Sequence, residues 1–362
     1  MRKIRVLIIE DSAFMRKLIT DLLSEDQQID VVGFARNGKE GIEKVNKYKP
    51  DVITLDIEMP IMNGLDSLQI IMEKYPTPVI MLSSSTSQGA ENTLLAMQFG
   101  AFDFIAKPSG NISLKLHEIK EELKGKIRAA WVTNVNLLQK KSLIKKQKMP
   151  HNPICSKIEP MRKEVITPDS FGKAAKIIAI GTSTGGPRAL QCVLSNLPSS
   201  IDAPILIVQH MPTGFTKSLA NRLNTICNIH VKEAEDGEPL KKGTAYIAPG
   251  GFHLTVKTVG LELRVALEQT SPRNGHRPSV DSLFESISQL SGYSIIAVIM
   301  TGMGSDGSKG LITLKNRTSV VSIAESEVSS IVFGMPKAAI ATNLVDVVEE
   351  VENIAHEIVK YC

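Results

Sequence analysis

Acidic side chains stand directly after two apolar segments near the start of the sequence. Glu10 and Asp11 follow the run 4–9, and Asp56 follows the run 52–55. If both runs are neighbouring strands of a parallel sheet, three carboxylates meet at one edge and repel one another unless a hard cation lies among them. Oxygen ligands with open water positions suit Mg²⁺, so this spacing predicts a magnesium site.

A lysine and a serine complete this first group of polar residues. Lys107 precedes Pro108 after a fifth apolar run, and Ser83 ends the fourth. A metal and a lysine neutralise the charge that develops in phosphoryl transfer, so the group is suited to carrying a phosphoryl group on Asp56. Each residue alone has a plainer explanation, because acidic residues after strands often cap helices and Lys-Pro turns are common.

A second group of reactive side chains lies in the other half of the chain. Ser183 stands in the segment GTSTGGP, 181–187, between an apolar run and a helix that is expected to begin at Pro187. A hydroxyl on such a turn faces a helix N-terminus, whose free N–H groups favour negative charge. This geometry fits a nucleophile beside an oxyanion site, and a phosphate-binding turn would have the same form.

Two further residues fit the roles that a serine nucleophile needs. His210 follows the apolar run 204–208, and an imidazole is suited to accepting a hydroxyl proton near neutral pH. Asp306 lies in TGMGSDG, 301–307, after the strand run 295–300, and its carboxylate can hold an imidazole in one tautomer. Three side chains at the ends of three strands therefore predict an acyl-transfer triad.

Other residues compete for these roles. Asp281 is a rival for the carboxylate, but it precedes the apolar positions of a predicted helix and is explained by capping. His276 is a rival for the base, but it stands in a polar loop with no strand to fix it. His230 and His253 have no motif around them and are expected to be structural or on the surface.

Alternating strands and helices must position both groups. In the first third of the chain, five short apolar runs alternate with stretches of helical periodicity, which predicts a parallel sheet covered by helices on both faces. Strand runs resume at Lys176 and continue to Ile323, with an edge hairpin over 254–267, so a second, mostly parallel α/β unit is expected. Ligands of such sheets bind at the carboxyl ends of the strands.

Composition narrows the class of protein. The 362 residues are 43% hydrophobic and 22% charged, which is near the average of globular proteins, and the length suits more than one domain. No apolar run approaches the roughly 18 to 20 residues that cross a membrane, so neither a signal peptide nor membrane insertion is expected. The four cysteines form no C-x-x-C pair, so a cytoplasmic protein without a disulfide framework or zinc ribbon is expected.

The net charge of +4 is unevenly distributed. Residues 120–163 contain twelve Lys or Arg and three Glu, a net charge of +9, so the remainder of the chain is mildly acidic. Prolines at 150, 153 and 160 punctuate this stretch, and a further proline follows at 168. We expect a solvated linker, partly helical at its start, and no binding of nucleic acid.

The first group of residues, taken in order, resembles the receiver domain of two-component response regulators over residues 4–121. The residues that carry this resemblance are Asp11, Asp56, Ser83 and Lys107, with Pro60 and Gly64 in the loop after Asp56. The resemblance implies a flavodoxin-like fold in which a histidine kinase phosphorylates Asp56. It also implies Mg²⁺ bound by Glu10, Asp11, Asp56 and the backbone carbonyl of Glu58. The switch residues that it implies are Ser83, Phe104 and Lys107.

Motifs of the second half resemble the chemotaxis response-regulator protein-glutamate methylesterases. They are GTSTGGP, QHMPTGFT, AEDGEPL, AYIAPGG, HRPSVD, TGMGSDG and VFGMPKAA. The resemblance implies an enzyme that hydrolyses glutamate methyl esters on chemoreceptors, deamidates certain receptor glutamines and tunes chemotactic adaptation. By position, Ser183 is the nucleophile, His210 the base and Asp306 its orienter. The backbone N–H groups of Met303 and Thr184 would then serve the oxyanion.

The expected organisation is a receiver over 1–122, a basic, partly helical linker over 123–172, and a doubly wound, Rossmann-like catalytic domain over 173–362. Phosphorylation of Asp56 is expected to activate the enzyme by weakening the contact of a receiver that covers the catalytic edge. Ester hydrolysis is expected to need no cofactor. Two alternatives stay open, a nucleotide-binding module, which would lack a Walker lysine in its turn, and a noncatalytic adaptor with vestigial triad positions.

Overall fold

The computed structural model describes residues 2–84, 86–107, 112–139 and 174–362. Strands and helices alternate in the part before residue 140. They are β1 (Ile4–Ile9), α1 (Ala13–Ser24), β2 (Ile29–Ala35), α2 (Gly38–Tyr48), β3 (Val52–Asp56), α3 (Gly64–Lys74), β4 (Val79–Ser83), α4 (Ser87–Gln98), β5 (Asp103–Ala106), α5 (Ile112–Val132) and α6 (Val135–Gln139). The strands pair in the order β2-β1-β3-β4-β5, and each pair is parallel. The predicted five-stranded parallel sheet is therefore confirmed.

The local sequence explains where these elements lie. The strands are near-continuous apolar runs because helices and sheet bury them on both faces, as in the fully buried segment Val6–Ile9. Burial of each such side chain contributes roughly 1.5 to 3 kcal/mol. The helices begin where a short polar side chain accepts a hydrogen bond from the first turn. These N-caps are Ser12, Asn37, Asn63 and Thr86.

Strands and helices alternate again over residues 174–362. They are β6 (Ala175–Thr182), α7 (Gly186–Ser195), β7 (Ile205–Gln209), α8 (Phe215–Ile226), β8 (His230–Glu233), β9 (Thr244–Ile247), β10 (His253–Val259), β11 (Glu262–Glu268), α9 (Val280–Ile287), β12 (Tyr293–Ile299), α10 (Ser308–Arg317), β13 (Ser319–Glu325), α11 (Met335–Ala341), β14 (Val347–Glu349) and α12 (Val351–Tyr361). The large sheet has the order β14-β13-β12-β6-β7-β9-β8, and all its pairs are parallel. The direction in which strands are added reverses between β12 and β6, and ligands of doubly wound sheets bind at such a point.

The strands of the second domain match the predicted runs, with differences at the periphery. The short outer strands β8 and β14 have no predicted counterpart, because few of their residues are apolar and buried. The predicted hairpin is present as β10 and β11, but it forms a separate antiparallel sheet and does not extend the large sheet. It packs on α9 instead, where the Val256 N–H donates to Ser286 Oγ at 3.2 Å.

The helical start of the predicted linker is visible in the structure. α5 continues to Val132, beyond the predicted receiver boundary at 122. α6 then returns to the first domain, where Gln139 Nε2 donates to the Met72 carbonyl at 2.6 Å. Residues 140–172 of the predicted linker lie outside the described residues, so the division into 1–122, 123–172 and 173–362 stays a prediction. Of the helices described, none has the length and apolar character needed to cross a bilayer.

Candidate active site

Ser183 lies in the turn between β6 and α7. Its N–H donates to the Thr301 carbonyl at 3.0 Å, and its own carbonyl accepts from the Gly186 N–H at 2.8 Å. Gly185 has φ 80° at the start of α7, and a Cβ there would lie 2.8 Å from the Cβ of Ile331. Glycine is therefore required both for the backbone conformation and for the close approach. The turn sets the serine against the first turn of a helix, as predicted.

Gln209 joins this turn to the next strand. The register of β6 and β7 pairs Thr182 with Gln209, so Ser183 and His210 leave neighbouring strands side by side. Gln209 Nε2 donates to the Ser183 carbonyl at 3.0 Å and to the His210 carbonyl at 3.2 Å. A Cβ on Gly186 would lie 1.9 Å from Gln209 Oε1, which explains the second glycine of the motif. Only its place directly before His210 marks Gln209 in the sequence.

His210 and Asp306 form a buried pair. His210 Nε2 lies 2.8 Å from Asp306 Oδ2, and the two side chains are 6% and 2% exposed. Burial alone would raise the pKa of Asp306, but the hydrogen bond and charge of His210, with further hydrogen bonds, hold it well below its usual range. His210 Nδ1 is buried and has no hydrogen-bond partner among the described residues. If His210 serves Ser183 as a base, Nδ1 is the nitrogen that Asp306 leaves for it, which is the reverse of the arrangement in chymotrypsin-like proteases.

Other donors surround the Asp306 carboxylate. They are Asn274 Nδ2 at 3.2 Å, Ser279 Oγ at 2.9 Å, the Val280 N–H at 2.7 Å and the Asp281 N–H at 3.2 Å. Hydrogen bonds to the charged form favour ionisation, which offsets the loss of solvation. The sequence does not single out Asn274 or Ser279 for this role, although both precede Asp281 in the polar segment between β11 and α9.

Asp281 has a different function from Asp306. Its Oδ1 accepts from the N–H groups of Gly307 and Gly310, at 3.0 and 2.7 Å. Asp281 is therefore a capping residue, as expected, but it caps α10. Its own helix, α9, is capped by Ser279. This bond ties the loop that carries Asp306 to the start of α9.

The segment 301–304 brings backbone amides beside Ser183. A Cβ on Gly302 would lie 2.8 Å from the Ser183 Cβ, so this backbone passes in contact with the serine. In the described part of the chain, the N–H groups of Met303 and Thr184 have no acceptor. The loop is held from below by Glu325, whose Oε2 accepts from the Thr301 N–H at 2.7 Å. Both amides are thus available to a ligand at the switch point of the sheet.

The carboxylates of the first domain meet as predicted. β1 pairs with β3 in a register that sets Ile9 beside Leu55, so the residues that follow them are adjacent. Ligand atoms of Glu10, Asp11 and Asp56 all lie within 4.8 Å of one another. Burial and the charge of Asp56 raise the pKa of Glu10 to about 7, and burial raises that of Asp56 as well.

Lys107 is the cation of this cluster. Its Nζ lies 2.9 Å from Glu10 Oε2 and 2.8 Å from Asp56 Oδ2. Burial alone would lower the pKa of Lys107, but contacts with these two carboxylates raise it. One lysine does not balance three carboxylates, so the oxygen-only donor set fits a further hard cation. The contribution of the Glu58 carbonyl stays a prediction; the Glu58 N–H donates to Asp56 Oδ1 at 3.4 Å.

Comparison with known proteins covers both domains. The CheB methylesterase family profile matches residues 178–358, and the response regulator receiver domain profile matches residues 6–117. The protein-glutamate methylesterase/protein-glutamine glutaminase of Geobacillus kaustophilus is 51% identical over 364 residues, which are 99% of this chain and 99% of the relative. Its namesake in Bacillus subtilis is 49% identical over 98% of this chain and 97% of its own. The chain belongs to the CheB methylesterase family.

A solved structure supports this assignment. The Thermotoga maritima CheB methylesterase catalytic domain aligns with a TM-score of 0.50 and 43% identity, over 52% of this chain and 100% of its own. The resemblance stated from the motifs is therefore confirmed for the receiver, for the catalytic domain and for membership of an enzyme family.

Phe104, the predicted aromatic switch residue, lies in the contact between the domains. Its ring stacks on that of Phe215, the first residue of α8, with centroids 4.7 Å apart. The Phe104 ring also contacts α5, where Lys126 Nζ lies 5.3 Å from the ring centroid. Phe215 lies in the segment that follows His210. Phe104 therefore contacts the second domain close to the sheet edge that carries His210.

Asp103 makes the most direct contact with the catalytic turn. Its Oδ2 accepts from Thr184 Oγ1 at 2.7 Å and pairs with Lys126 Nζ at 3.3 Å. Burial alone would lower the pKa of Lys126, but Asp103 and Glu122 raise it. One turn of α5 also covers the loop after β12, since a Cβ on Gly125 would lie 3.1 Å from Met303 Cε. The first domain thus touches both predicted oxyanion residues.

Ser83 points away from the acidic cluster. Its Oγ donates to the Gly89 carbonyl at 3.0 Å and accepts from Thr93 Oγ1 at 2.7 Å, both on α4. The switch role predicted for Ser83 therefore requires these bonds to α4 to break. Helix α4 itself packs on α8, where an Arg222 guanidinium nitrogen donates to Gln98 Oε1 at 3.2 Å.

His276 packs against His210, although its sequence context is a polar loop. Its ring stacks on the His210 ring with centroids 4.0 Å apart and an interplanar angle of 16°. His230 and His253 match the expectation of structural or surface positions. His253 is buried in β10 beside the Ser271 carbonyl, 3.2 Å from Nε2, and His230 is exposed on β8.

Proposed function

We propose that this protein hydrolyses glutamate methyl esters on chemoreceptors and deamidates receptor glutamines, under control of its receiver. Ser183 is the nucleophile, His210 the general base and Asp306 the residue that orients it. The observation that carries this proposal is the buried His210–Asp306 pair beside the Ser183 turn, at 2.8 Å. It occurs in a chain 51% identical to a protein-glutamate methylesterase/protein-glutamine glutaminase over its whole length.

The reaction proceeds by acyl transfer. His210 Nδ1 takes the Ser183 hydroxyl proton while Ser183 Oγ forms a bond to the glutamyl carbonyl carbon. The bond from that carbon to the methoxy oxygen breaks, and the imidazolium returns the proton to the departing methanol. Water then loses a proton to His210 as its oxygen bonds to the acyl carbon. The bond from that carbon to Ser183 Oγ breaks, and the imidazolium returns the proton to Oγ, which releases the glutamate and restores Ser183. With glutamine the leaving group is ammonia.

Backbone amides stabilise the tetrahedral intermediate. The Met303 and Thr184 N–H groups flank the serine and have no acceptor among the described residues. Donors fixed in advance toward the developing charge are commonly the largest electrostatic contribution to acyl transfer. The protonated Nε2 of His210 is held by Asp306, which fixes the tautomer with Nδ1 free to accept.

The receiver carries the regulatory phosphoryl group on Asp56, taken from a histidine kinase. Glu10, Asp11 and Asp56, with the Glu58 carbonyl, would hold Mg²⁺, which supplies positive charge near the phosphoryl oxygens when bound. Lys107 already contacts Asp56 at 2.8 Å and can follow a phosphoryl oxygen there. Ser83 and Phe104 respond to the new charge as switch residues.

Regulation works through the contact between the domains. Asp103 and Phe104 stand next to each other in β5 and touch Thr184 and Phe215. A change in β5 on phosphorylation weakens both contacts and opens the catalytic edge. Activation by about 10- to 100-fold requires only roughly 1.4 to 2.7 kcal/mol of coupling.

The test of the catalytic assignment is methanol release from methylated receptor by the full chain and by Ser183→Ala. We expect a loss of about 10³-fold or more. Ser200→Ala, at an exposed position, serves as the matched control and should leave the rate unchanged. Ordinary turnover by Ser183→Ala would eliminate this function for the site.

Regulation is tested separately with a small-molecule phosphodonor and with a fragment of residues 174–362. The full chain should be activated by the phosphodonor, and Asp56→Asn should not respond. The fragment should match or exceed the activated rate. A fragment no faster than the unphosphorylated chain would show that phosphorylation acts by assembling the site rather than by uncovering it.

A further inference from the structure

We propose that His276 is a positioning residue for His210, whose ring plane it fixes by stacking. The inference rests on the proposed role of His210 as the base that faces Ser183. A hydrogen bond from Nε2 to Asp306 fixes one point of the imidazole but leaves rotation about the hydrogen-bond axis. The His276 ring blocks that rotation, because its centroid lies 4.0 Å from that of His210 and the two planes differ by 16°. Nδ1, the nitrogen that Asp306 leaves free, is then held in one orientation.

The backbone of His276 is rigid enough for this role. Its N–H donates to the Arg273 carbonyl at 2.8 Å, and its carbonyl accepts from the Arg273 N–H at 3.0 Å. Asn274 and Gly275 between them have φ 51° and 81°, the two left-handed residues of a tight Asn-Gly turn. Arg273 is anchored on α9 through Glu285, with one N–O contact of 2.8 Å.

The same turn is tied to the catalytic carboxylate. Asn274 Nδ2 donates to Asp306 Oδ1 at 3.2 Å and to Asp281 Oδ2 at 3.0 Å. The carboxylate that holds one edge of the His210 ring and the ring that covers its face are thus parts of one hydrogen-bonded unit. Displacement of His276 would alter the plane of His210 without removing its partner Asp306.

The charge on His276 suits stacking rather than proton transfer. Burial lowers its pKa to about 4, with further lowering by His210 and Lys126, while Asp306 acts in the opposite direction. The ring is therefore neutral near pH 7 and presents a π face to His210. When His210 takes the serine proton, an imidazolium over a neutral ring is attracted, whereas two charged rings would repel.

The experiment compares His276→Phe and His276→Ala in the full chain, with exposed His230→Ala as the matched control. Methanol release is measured for kcat, KM and pH dependence. We expect His276→Ala to lower kcat about 10- to 50-fold with KM within about twofold, and to move the acid limb of the profile about half to one unit lower. His276→Phe, which keeps a flat ring but no nitrogen, should retain at least a third of kcat and the original profile. Thermal unfolding verifies that each variant is folded.

Two outcomes would overturn the inference. Equal losses in the Phe and Ala variants would mean that a ring nitrogen of His276 takes part in proton transfer. Unchanged kcat in both would mean that the stack has no role.

An NMR measurement separates this inference from the proposed function. The His210 ring is titrated by NMR in Ser183→Ala and in Ser183→Ala/His276→Ala, where turnover plays no part.

We expect the titration midpoint of His210 to be lower in the double variant. A shift with normal turnover by Ser183→Ala would refute the triad but keep the stacking interaction. No shift, with Ser183→Ala inactive, would refute the positioning role and leave the triad intact.

Discussion

Buried carboxylates stand at the same place in both domains, at the carboxyl ends of a parallel sheet, and their ionisation differs sharply. Glu10, Asp56 and Asp306 are 0%, 2% and 2% exposed, so burial does not distinguish them. The pKa of Glu10 is raised to about 7, whereas the pKa of Asp306 lies well below its usual range. The difference comes from what surrounds each oxygen.

Asp306 is surrounded by donors, and the receiver carboxylates are surrounded by one another. Asp306 receives hydrogen bonds from two side chains, two backbone N–H groups and His210. Glu10 faces Asp56 and shares a single lysine with it, and each accepts one backbone N–H in the described part of the chain, from Ser12 and Glu58. A carboxylate whose charge is stabilised by hydrogen-bond donors, such as Asp306, can hold an imidazole in place. A cluster of carboxylates with too little positive charge nearby, such as Glu10 and Asp56, is suited to bind a cation. The same position in a sheet thus serves orientation in one domain and charge binding in the other.

The largest expected effect comes from removing the charge of Asp306. Asp306→Asn keeps the size of the side chain but offers His210 an amide that no longer selects the tautomer with Nδ1 free. We expect kcat for methanol release to fall about 10⁴-fold. Asp202→Asn, which removes a carboxylate that is 74% exposed, is the control. A fall in kcat of less than tenfold would mean that the hydrogen-bond donors around Asp306 do not serve catalysis.

Another buried carboxylate, that of Glu325, tests how many hydrogen-bond donors keep such a group ionised. Among the described residues, Glu325 accepts only from the Thr301 N–H and Ser329 Oγ, at 2.7 and 2.9 Å, and burial raises its pKa to about 7. Because the folded pKa exceeds the unfolded value, the folded state binds the proton more tightly. Stability should therefore be highest below about pH 4.5 for this group and fall as the pH rises to 7.

The measurement is the free energy of unfolding by urea between pH 4 and 8. Glu325→Gln should remove a pH-dependent loss of up to about 3 kcal/mol in the wild-type chain. Asp306 has the opposite sign, since its contribution is lost only in strong acid. If the wild-type and Glu325→Gln curves run parallel, two donors are sufficient to keep a carboxylate of this domain ionised.

Metal binding should stabilise the receiver and leave the catalytic edge unaffected. At about 10 to 100 times the dissociation constant, Mg²⁺ should raise the free energy of unfolding by roughly 1.4 to 2.7 kcal/mol. Asp11→Asn should abolish this gain, and Asp21→Asn, at an exposed site paired with Lys17, should retain it. Equal stabilisation of Asp11→Asn by Mg²⁺ would place the bound metal elsewhere.

The positions of the reactive side chains were predictable because each follows an apolar strand. In a parallel sheet, the residue after a strand lies at the ligand-binding edge whatever its partners are. This rule puts these side chains at that edge, and the strand order, in which β1 pairs with β3 and β6 with β7, then sets Asp56 beside Glu10 and Ser183 beside His210. The motifs then added the roles, which spacing alone left open between a nucleophile turn and a phosphate-binding turn.

What surrounds those side chains was not predictable in the same way. Gln209, Asn274 and His276 act through contacts between loops far apart in the sequence, so no local period marks them. His276 stands in a polar segment, and only the Asn-Gly pair before it signals a tight turn. The contact of Asp103 with Thr184 joins two domains, and nothing in either motif specifies how domains pack.

The smallest effect expected is from one donor in the shell of Asp306. Asn274→Gly removes the amide that bonds Asp306 at 3.2 Å and Asp281 at 3.0 Å, while glycine tolerates the φ of 51° at this position. Loss of one hydrogen bond to a carboxylate that keeps its other donors should cost about 0.7 to 1.4 kcal/mol, a 3- to 10-fold fall in kcat. The acid limb of the pH profile should stay in place, because the His276 stack remains. A fall in kcat approaching that of Asp306→Asn would mean that the donors to Asp306 act as one unit. The difference in ionisation between Asp306 and the receiver carboxylates would then depend on the complete set of donors rather than on the number of hydrogen bonds.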